Sequence, residues 1–221
     1  MLSPLSTNQP IKKFCFKCQF RYHQKNIKLN VAKWLEAAIK RHVEEIHLTL
    51  PSHTFKPDHF VSQTLVVLKL ESVYVAKDTS CVHLPSLKTL SLTSVSFENQ
   101  NDYINFLYAC PILEDWHAEP IYFMERDEKN ASKEGLKFLT LPKLVRASIR
   151  IIDGLFNFIN NVKFLNLISI KLMFPSYPYI CWDGVVQLLR HCPKLQTLCI
   201  KKVFFFAWSF FFFLYSLIFV V

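Results

Sequence analysis

Three groups of residues in this chain have types and spacings that could do chemistry. Cys15-Phe16-Lys17-Cys18 is a C-x-x-C, and His23, His42 and His47 follow it. Zinc would need four such ligands converging at about 2.0–2.3 Å. The interval from Cys18 to His42 is longer than in a zinc finger. Phe14, Phe16, Cys18 and Phe20 alternate with Cys15, Lys17 and Gln19, the pattern of a half-buried strand. Such a strand puts Cys15 and Cys18 on opposite faces, so no metal site is expected. The second group is Cys110-Pro111 and Cys192-Pro193, each followed two residues later by a leucine. Proline stops a helix, and a small buried cysteine beside it suits tight packing. No general base stands at a recognisable spacing from either thiol, and no paired carboxylates do. The chain has only 3 glycines and neither phosphate-cradling motif, G-x-G-x-x-G or G-x-x-x-x-G-K-[ST]. No catalytic residue and no cofactor are expected. The third group is basic. Residues 1–42 hold nine Lys and Arg against Glu36 alone, a net +8 of the chain's +9. A basic arm can serve nucleic acid or an acidic partner. Here the alternating phenylalanines read as core and not as a base-stacking platform, so the charge reads as a solvated face and no nucleic acid is expected.

The elements that must position these residues follow from a recurring leucine pattern. Leu87, Leu90, Leu92, Val95 and Phe97 read L-x-x-L-x-L-x-x-V-x-F; Leu65 to Val75 and Leu195 to Phe205 read the same way. Weaker copies start at Val43, Leu113, Leu144 and Leu167, and successive first anchors are 22, 22, 26, 31, 23 and 28 residues apart. This is the spacing of the leucine-rich repeat. L-x-L is a period-two strand with one buried face, and one strand cannot bury that face alone. Stacked repeats make a parallel sheet in which each closes the core of the last. The expected fold is an α/β leucine-rich-repeat solenoid, with a parallel sheet on one face and helices and loops on the other. Val31, Trp34, Leu35, Ala38, Ile39 and His42 form one helix face with Asn30 as N-cap. Asp102 is expected to cap Tyr103–Ala109, and Asp183 to cap Gly184–His191. The longest interval holds the charged run 125–134, which reads as a solvated loop.

Hydrophobic residues make up 51% of the chain, ample for a solenoid core. The 7 cysteines are scattered, and Met1-Leu2-Ser3-Pro4 lacks the character of a signal peptide. Together these suggest free thiols in a reducing compartment, cytoplasmic or nuclear. The sequon Asn130-Ala131-Ser132 carries little weight in that setting.

An ordered set of motifs points further. Pro10 to Cys18 (PIKKFCFKC) leads to Val31-Ala32-Lys33-Trp34-Leu35-Glu36-Ala37-Ala38. Val43-Glu44-Glu45-Ile46-His47-Leu48, Leu65-Val66-Val67-Leu68-Lys69-Leu70, Leu84-Pro85-Ser86-Leu87-Lys88-Thr89-Leu90 and Cys110-Pro111-Ile112-Leu113-Glu114-Asp115 follow in order. Over about residues 10–202 the chain resembles the plant F-box/leucine-rich-repeat proteins, including those with a C-terminal FBD domain. The resemblance implies a recognition module. In that family an N-terminal F-box binds the Skp-type linker of a ubiquitin ligase, and the repeats recruit the protein to be modified. An F-box would precede Pro10, where nine residues stand, so docking on the Skp-type linker is not expected.

The end departs too. Residues 203–221 carry no charge, and eight of the 19 are Phe. Their length and apolarity suit a transmembrane segment after Lys201 and Lys202. Against that, Val203 and Phe205 complete the last repeat, and Trp208 and Tyr215 sit inside the stretch. A tail anchor, a read-through product of a truncated gene and a buried core segment remain open. The chain divides into a disordered 1–9, a repeat domain 10–202 and a hydrophobic helix or tail 203–221.

The expected function is non-catalytic protein recognition, like that of the substrate-binding part of F-box ubiquitin-ligase adaptors, by a shortened family member. A membrane-anchored repeat protein is the alternative. The expected contact surface is the concave sheet face. Its outward positions include His47, Lys69, Thr89, Ser91, His117, Arg150 and Lys171, with Glu45, Val67, Asp115, Ser148, Ser169, Thr197 and Cys199 beside them.

Overall fold

The computed structural model describes residues 11–18, 25–124, 141–150, 167–174, 185, 186 and 189–202. Strand β1 (Lys13–Lys17) is followed by helix α1 (Lys25–Lys40), then β2 (Glu45–Phe55), β3 (Val67–Val75) and β4 (Thr89–Phe97). Helix α2 (Gln100–Tyr108), β5 (Asp115–Phe123), β6 (Arg146–Arg150), β7 (Ser169–Phe174) and β8 (Thr197–Lys202) complete the order. The described strands form one sheet in chain order, and every neighbouring pair is parallel. This is the leucine-rich-repeat stack expected from the spacing.

The register is the one the leucines dictate. Each first anchor lies two residues before its strand. Ile46, Leu68, Leu90, Trp116, Ala147 and Ile170 stand side by side across β2 to β7, and Leu48, Leu70, Leu92, Ala118, Ile149 and Leu172 form the next rank. All twelve are buried. A slip of one residue would turn a rank of leucines to water, and each exposed leucine would cost about 2 kcal/mol. On the outermost described strands, β1 and β8, the cover is thinner, and Phe14, Phe16 and Leu198 are only partly buried.

The strand entrances repeat a hydrogen-bond device. The carbonyl of Lys12 accepts from the N–H groups of both Glu44 and Glu45, and Glu44 does the same for Val66 and Val67. Val66, Lys88, Glu114, Val145 and Ile168 continue the series up to Thr197. Just upstream is a tight turn. Leu87 N–H donates to Leu84, Leu113 to Cys110, Leu144 to Leu141 and Leu195 to Cys192, each at 3.1–3.2 Å. A proline stands second in each of these turns, where its fixed φ suits the bend and its missing donor is not needed. The two C-P-x-L units are therefore the cysteine version of an L-P-x-L turn, and Leu84, Cys110, Leu141 and Cys192 are all buried.

Two features differ from expectation. Strands β3 and β4 run past L-x-L and bend at Ser72 and Ser94, which have φ of 56° and 54°. The bend lets the V-x-V and V-x-F halves, Val73/Val75 and Val95/Phe97, bury as well. The helix ends also differ. α1 begins at Lys25, so Asn30 lies inside it and is not its cap. His42 is beyond its C-terminus with φ 58°. There His42 N–H donates to Ile39 and Val43 N–H to Ala38, a Schellman closure. Val31, Leu35 and Ala38 are buried, whereas Trp34 is half exposed and leans on Phe16, ring centres 5.9 Å apart. In α2 the cap is Asn99, whose side chain accepts from the Asp102 N–H at 2.9 Å. Asp102 instead sits one turn in, buried, and its Oδ1 accepts from the N–H groups of Asp78 and Thr79 at 2.9 and 3.1 Å. It ties two returns together. Asp183, the loop 125–134 and the tail 203–221 lie outside the described residues.

Between returns and sheet runs an aromatic seam. Phe60 meets Phe106 edge-on at 5.5 Å, Phe97 meets Phe106 at 5.7 Å and Tyr103 at 5.2 Å, and Tyr103 lies 6.4 Å from Trp116. Such pairs add about 0.5–1.5 kcal/mol each beyond their burial.

Candidate functional site

The face of the sheet opposite the leucines is the surface that the fold leaves open. Because strand residues alternate, every x of L-x-L projects there. One rank runs Cys15, His47, Lys69, Ser91, His117, Ser148, Lys171, Cys199, in register across all eight described strands. At about 4.8 Å per strand the rank spans about 34 Å. Five of the seven expected contact residues fall in it: His47, Lys69, Ser91, His117 and Lys171. Thr89 lies in the adjacent rank with Lys13, Glu45, Val67, Asp115, Arg146, Ser169 and Thr197. Arg150 lies on the other side, at the end of β6 beside Met173. All seven share the face, and each is exposed or half-buried.

The charges on it are arranged in pairs. Lys13 and Glu45 are 3.3 Å apart on β1 and β2. Thr49 donates to Glu71 at 2.8 Å across β2 and β3. Arg146 grips Asp115 with two donors, the Nη2 contact being 2.7 Å. Glu119 is a junction: Ser148 Oγ donates to it at 2.7 Å, Lys171 Nζ is 3.6 Å away and His117 Nδ1 is 3.9 Å away. Glu71, Glu119 and Arg146 are sheet-face residues absent from the sequence-based set. Period two carried one residue past L-x-L finds Glu71 and Glu119, and the same rule one position before it finds Arg146. β1 adds Lys13 and Lys17 by its pairing with β2.

His47 is held below the ordinary histidine range. Partial burial is the main cause, and the ammonium groups of Lys13 and Lys69 add to it, opposed by Glu45. It is therefore neutral at pH 7. The thiols that drew attention as nucleophiles are inactive by environment. Burial pushes Cys110 up to about 12 and Cys192 up to about 11, and Cys110 Sγ points back at the Phe106 carbonyl at 3.4 Å. Cys15 faces solvent, and Cys18 packs against the core edge, so the C-x-x-C is split between two faces. Among the described residues no three His, Cys, Asp or Glu side chains group as a metal site. No described helix is long and apolar enough to cross a membrane. The 203–221 segment lies outside this statement.

The comparisons with known proteins point the same way. A Leucine Rich Repeat family model matches residues 86–111, from the turn before β4 to the turn after α2. An FBD-associated F-box protein of Arabidopsis thaliana is 39% identical over 89 residues, 39% of this chain and 22% of that protein. An F-box/LRR-repeat protein of the same plant is 26% identical over 202 residues, 87% of this chain and 47% of the relative. Another is 33% identical over 146 residues, 64% of this chain and 30% of the relative. Matches to these relatives thus span from about a fifth to about half of their length. No solved structure gives a significant match. Repeat spacing, parallel stack and relatives agree: through its repeat region the chain is similar to the F-box/leucine-rich-repeat proteins of Arabidopsis thaliana.

Proposed function

We propose that this chain recognises a protein partner through the concave, open face of its sheet, as the substrate-binding part of a ubiquitin-ligase adaptor. The reading rests on one observation above all. An unbroken rank of polar side chains, from Cys15 to Lys171, stands on a rigid sheet whose other face is packed leucine. Such a surface needs no rearrangement to bind, which keeps the ordering cost of association low. His47, Lys69, Thr89, Ser91, His117, Arg150 and Lys171 are its contact residues in this reading. The free thiols Cys15 and Cys81 fit a reducing compartment, the cytoplasm or nucleus. The relatives' names describe F-box and repeat proteins, and none names a reaction.

The test is affinity purification from plant extract with the wild-type chain, Lys69→Glu/Lys171→Glu, and Lys33→Glu/Lys40→Glu on the exposed side of α1. A partner lost with the first pair and kept with the second supports the reading. Equal recovery by all three sinks it. The ligase half has its own readout: the ubiquitination of that partner changes when the chain is overexpressed. An unchanged ubiquitin pattern leaves recognition without a ligase role.

A further inference from the structure

The four carboxylates that the described strands place on the open face are all engaged within it. Glu45 holds Lys13, Glu71 accepts from Thr49, Asp115 holds Arg146, and Glu119 collects Ser148 and Lys171. Two neighbouring cations at one corner of the same face are not matched in this way. Lys17 on β1 and Lys69 on β3 are exposed, and among the described residues no carboxylate lies within ion-pair distance of either. They flank β2, and between them stands His47, on which Lys13, Lys69 and Lys17 all act as positive neighbours. Thr49 is a neutral donor and leaves Glu71 charged, so Lys13, Lys17 and Lys69 stand against Glu45 and Glu71 and the corner keeps a net positive charge.

We infer that the β1–β3 corner of the sheet, through Lys17 and Lys69, binds an extended acidic segment of the partner protein. The inference rests on the sheet face being the recognition surface, and it names the chemistry of what is recognised there. The two lysines are two strands and two residues apart, which places their Cα atoms about 12 Å from one another. An extended chain covers that distance in about three to four residues. The matching segment therefore carries Asp or Glu at that spacing. Exposed charges contribute mainly to encounter rate and selectivity, so the interaction weakens as salt rises.

Fluorescence anisotropy with a labelled peptide of roughly ten residues, Glu at every third or fourth position and Ser between, provides the test. Its lysine counterpart and a single-stranded oligonucleotide of equal charge are the comparisons. The acidic peptide is expected to bind the wild-type chain and Lys33→Glu/Lys40→Glu alike. Binding to Lys17→Glu/Lys69→Glu is expected to weaken by about tenfold or more. Thermal melting by circular dichroism checks that the reversed variant is folded, and Lys17→Gln/Lys69→Gln replaces it if it is not. Three results overturn the inference: no saturable binding of the acidic peptide, binding unaffected by the Lys17/Lys69 changes, or tighter binding of the oligonucleotide. Any of these, together with a partner still lost in Lys69→Glu/Lys171→Glu, removes the acidic segment and leaves the recognition face standing.

Discussion

Cys110 shows how environment decides what a residue can do. The thiol closes α2, bonds back to Phe106 and is shielded from water on all sides. Burial raises its ionisation from 9.0 to about 12. The sign follows directly. Below about pH 9 the thiol is neutral folded or unfolded, and its burial contributes fully. Above that, the unfolded chain gains by ionising and the folded chain cannot follow until about pH 12. Stability is therefore expected to fall between those limits, by on the order of 1 kcal/mol per pH unit from this group. Urea midpoints from pH 8 to 11 measure it. Cys110→Ala lowers the midpoint throughout and flattens this alkaline slope; an equally steep slope would show that other groups set it. The cysteines were readable as structural from their place beside prolines. Nothing in their own residue type could show that Leu84 and Leu141 occupy the same turn.

At the scale of elements, the strands were legible and the helix ends were not. L-x-L fixes a strand and its face because a parallel stack buries one side of every strand, and period two leaves no other arrangement. Helix ends depend on single backbone groups. Asn30 is a good capping residue, yet α1 already runs from Lys25 and holds it inside. Asp102 has the right type too, yet Asn99 caps and Asp102 spends its carboxylate on the preceding return. His42 looked like one more residue on the helix face and is instead its left-handed terminator. A side chain with a Cβ costs about 1–2 kcal/mol in that conformation. Glycine removes this cost and loses some of the gain to unfolded-state entropy. His42→Gly is thus expected to stabilise by about 0.5–1 kcal/mol, read as a higher urea midpoint. A loss of stability would mean that the imidazole makes a contact worth more than the strain.

The described strands form one stack, and stability is expected to be graded along it. Leu90 and Leu198 occupy the same rank, but Leu90 is fully buried between β3 and β5, and Leu198 on β8 is only partly covered. Leu90→Ala should cost about 2–5 kcal/mol, and Leu198→Ala clearly less. Denaturant melts of the two variants check this; equal losses would mean that β8 is as well covered as the centre. The open face was legible at the same scale. Repetition alone located Lys69, Ser91, His117 and Lys171, because each sits at the same step of its repeat. What repetition could not supply was the pairing across strands: the Glu119 junction and the Asp115–Arg146 grip join residues about thirty positions apart, set by an irregular interval. The claim that this face meets the partner is tested most directly by site-specific photo-crosslinking in plant cells. A crosslinking side chain is placed at Ser91 on the face, and another at Lys77, exposed in the turn that leaves β3. A discrete partner captured from Ser91 and not from Lys77 is the expected result. Capture from Lys77 with none from Ser91 would place recognition on the returns and contradict the assignment.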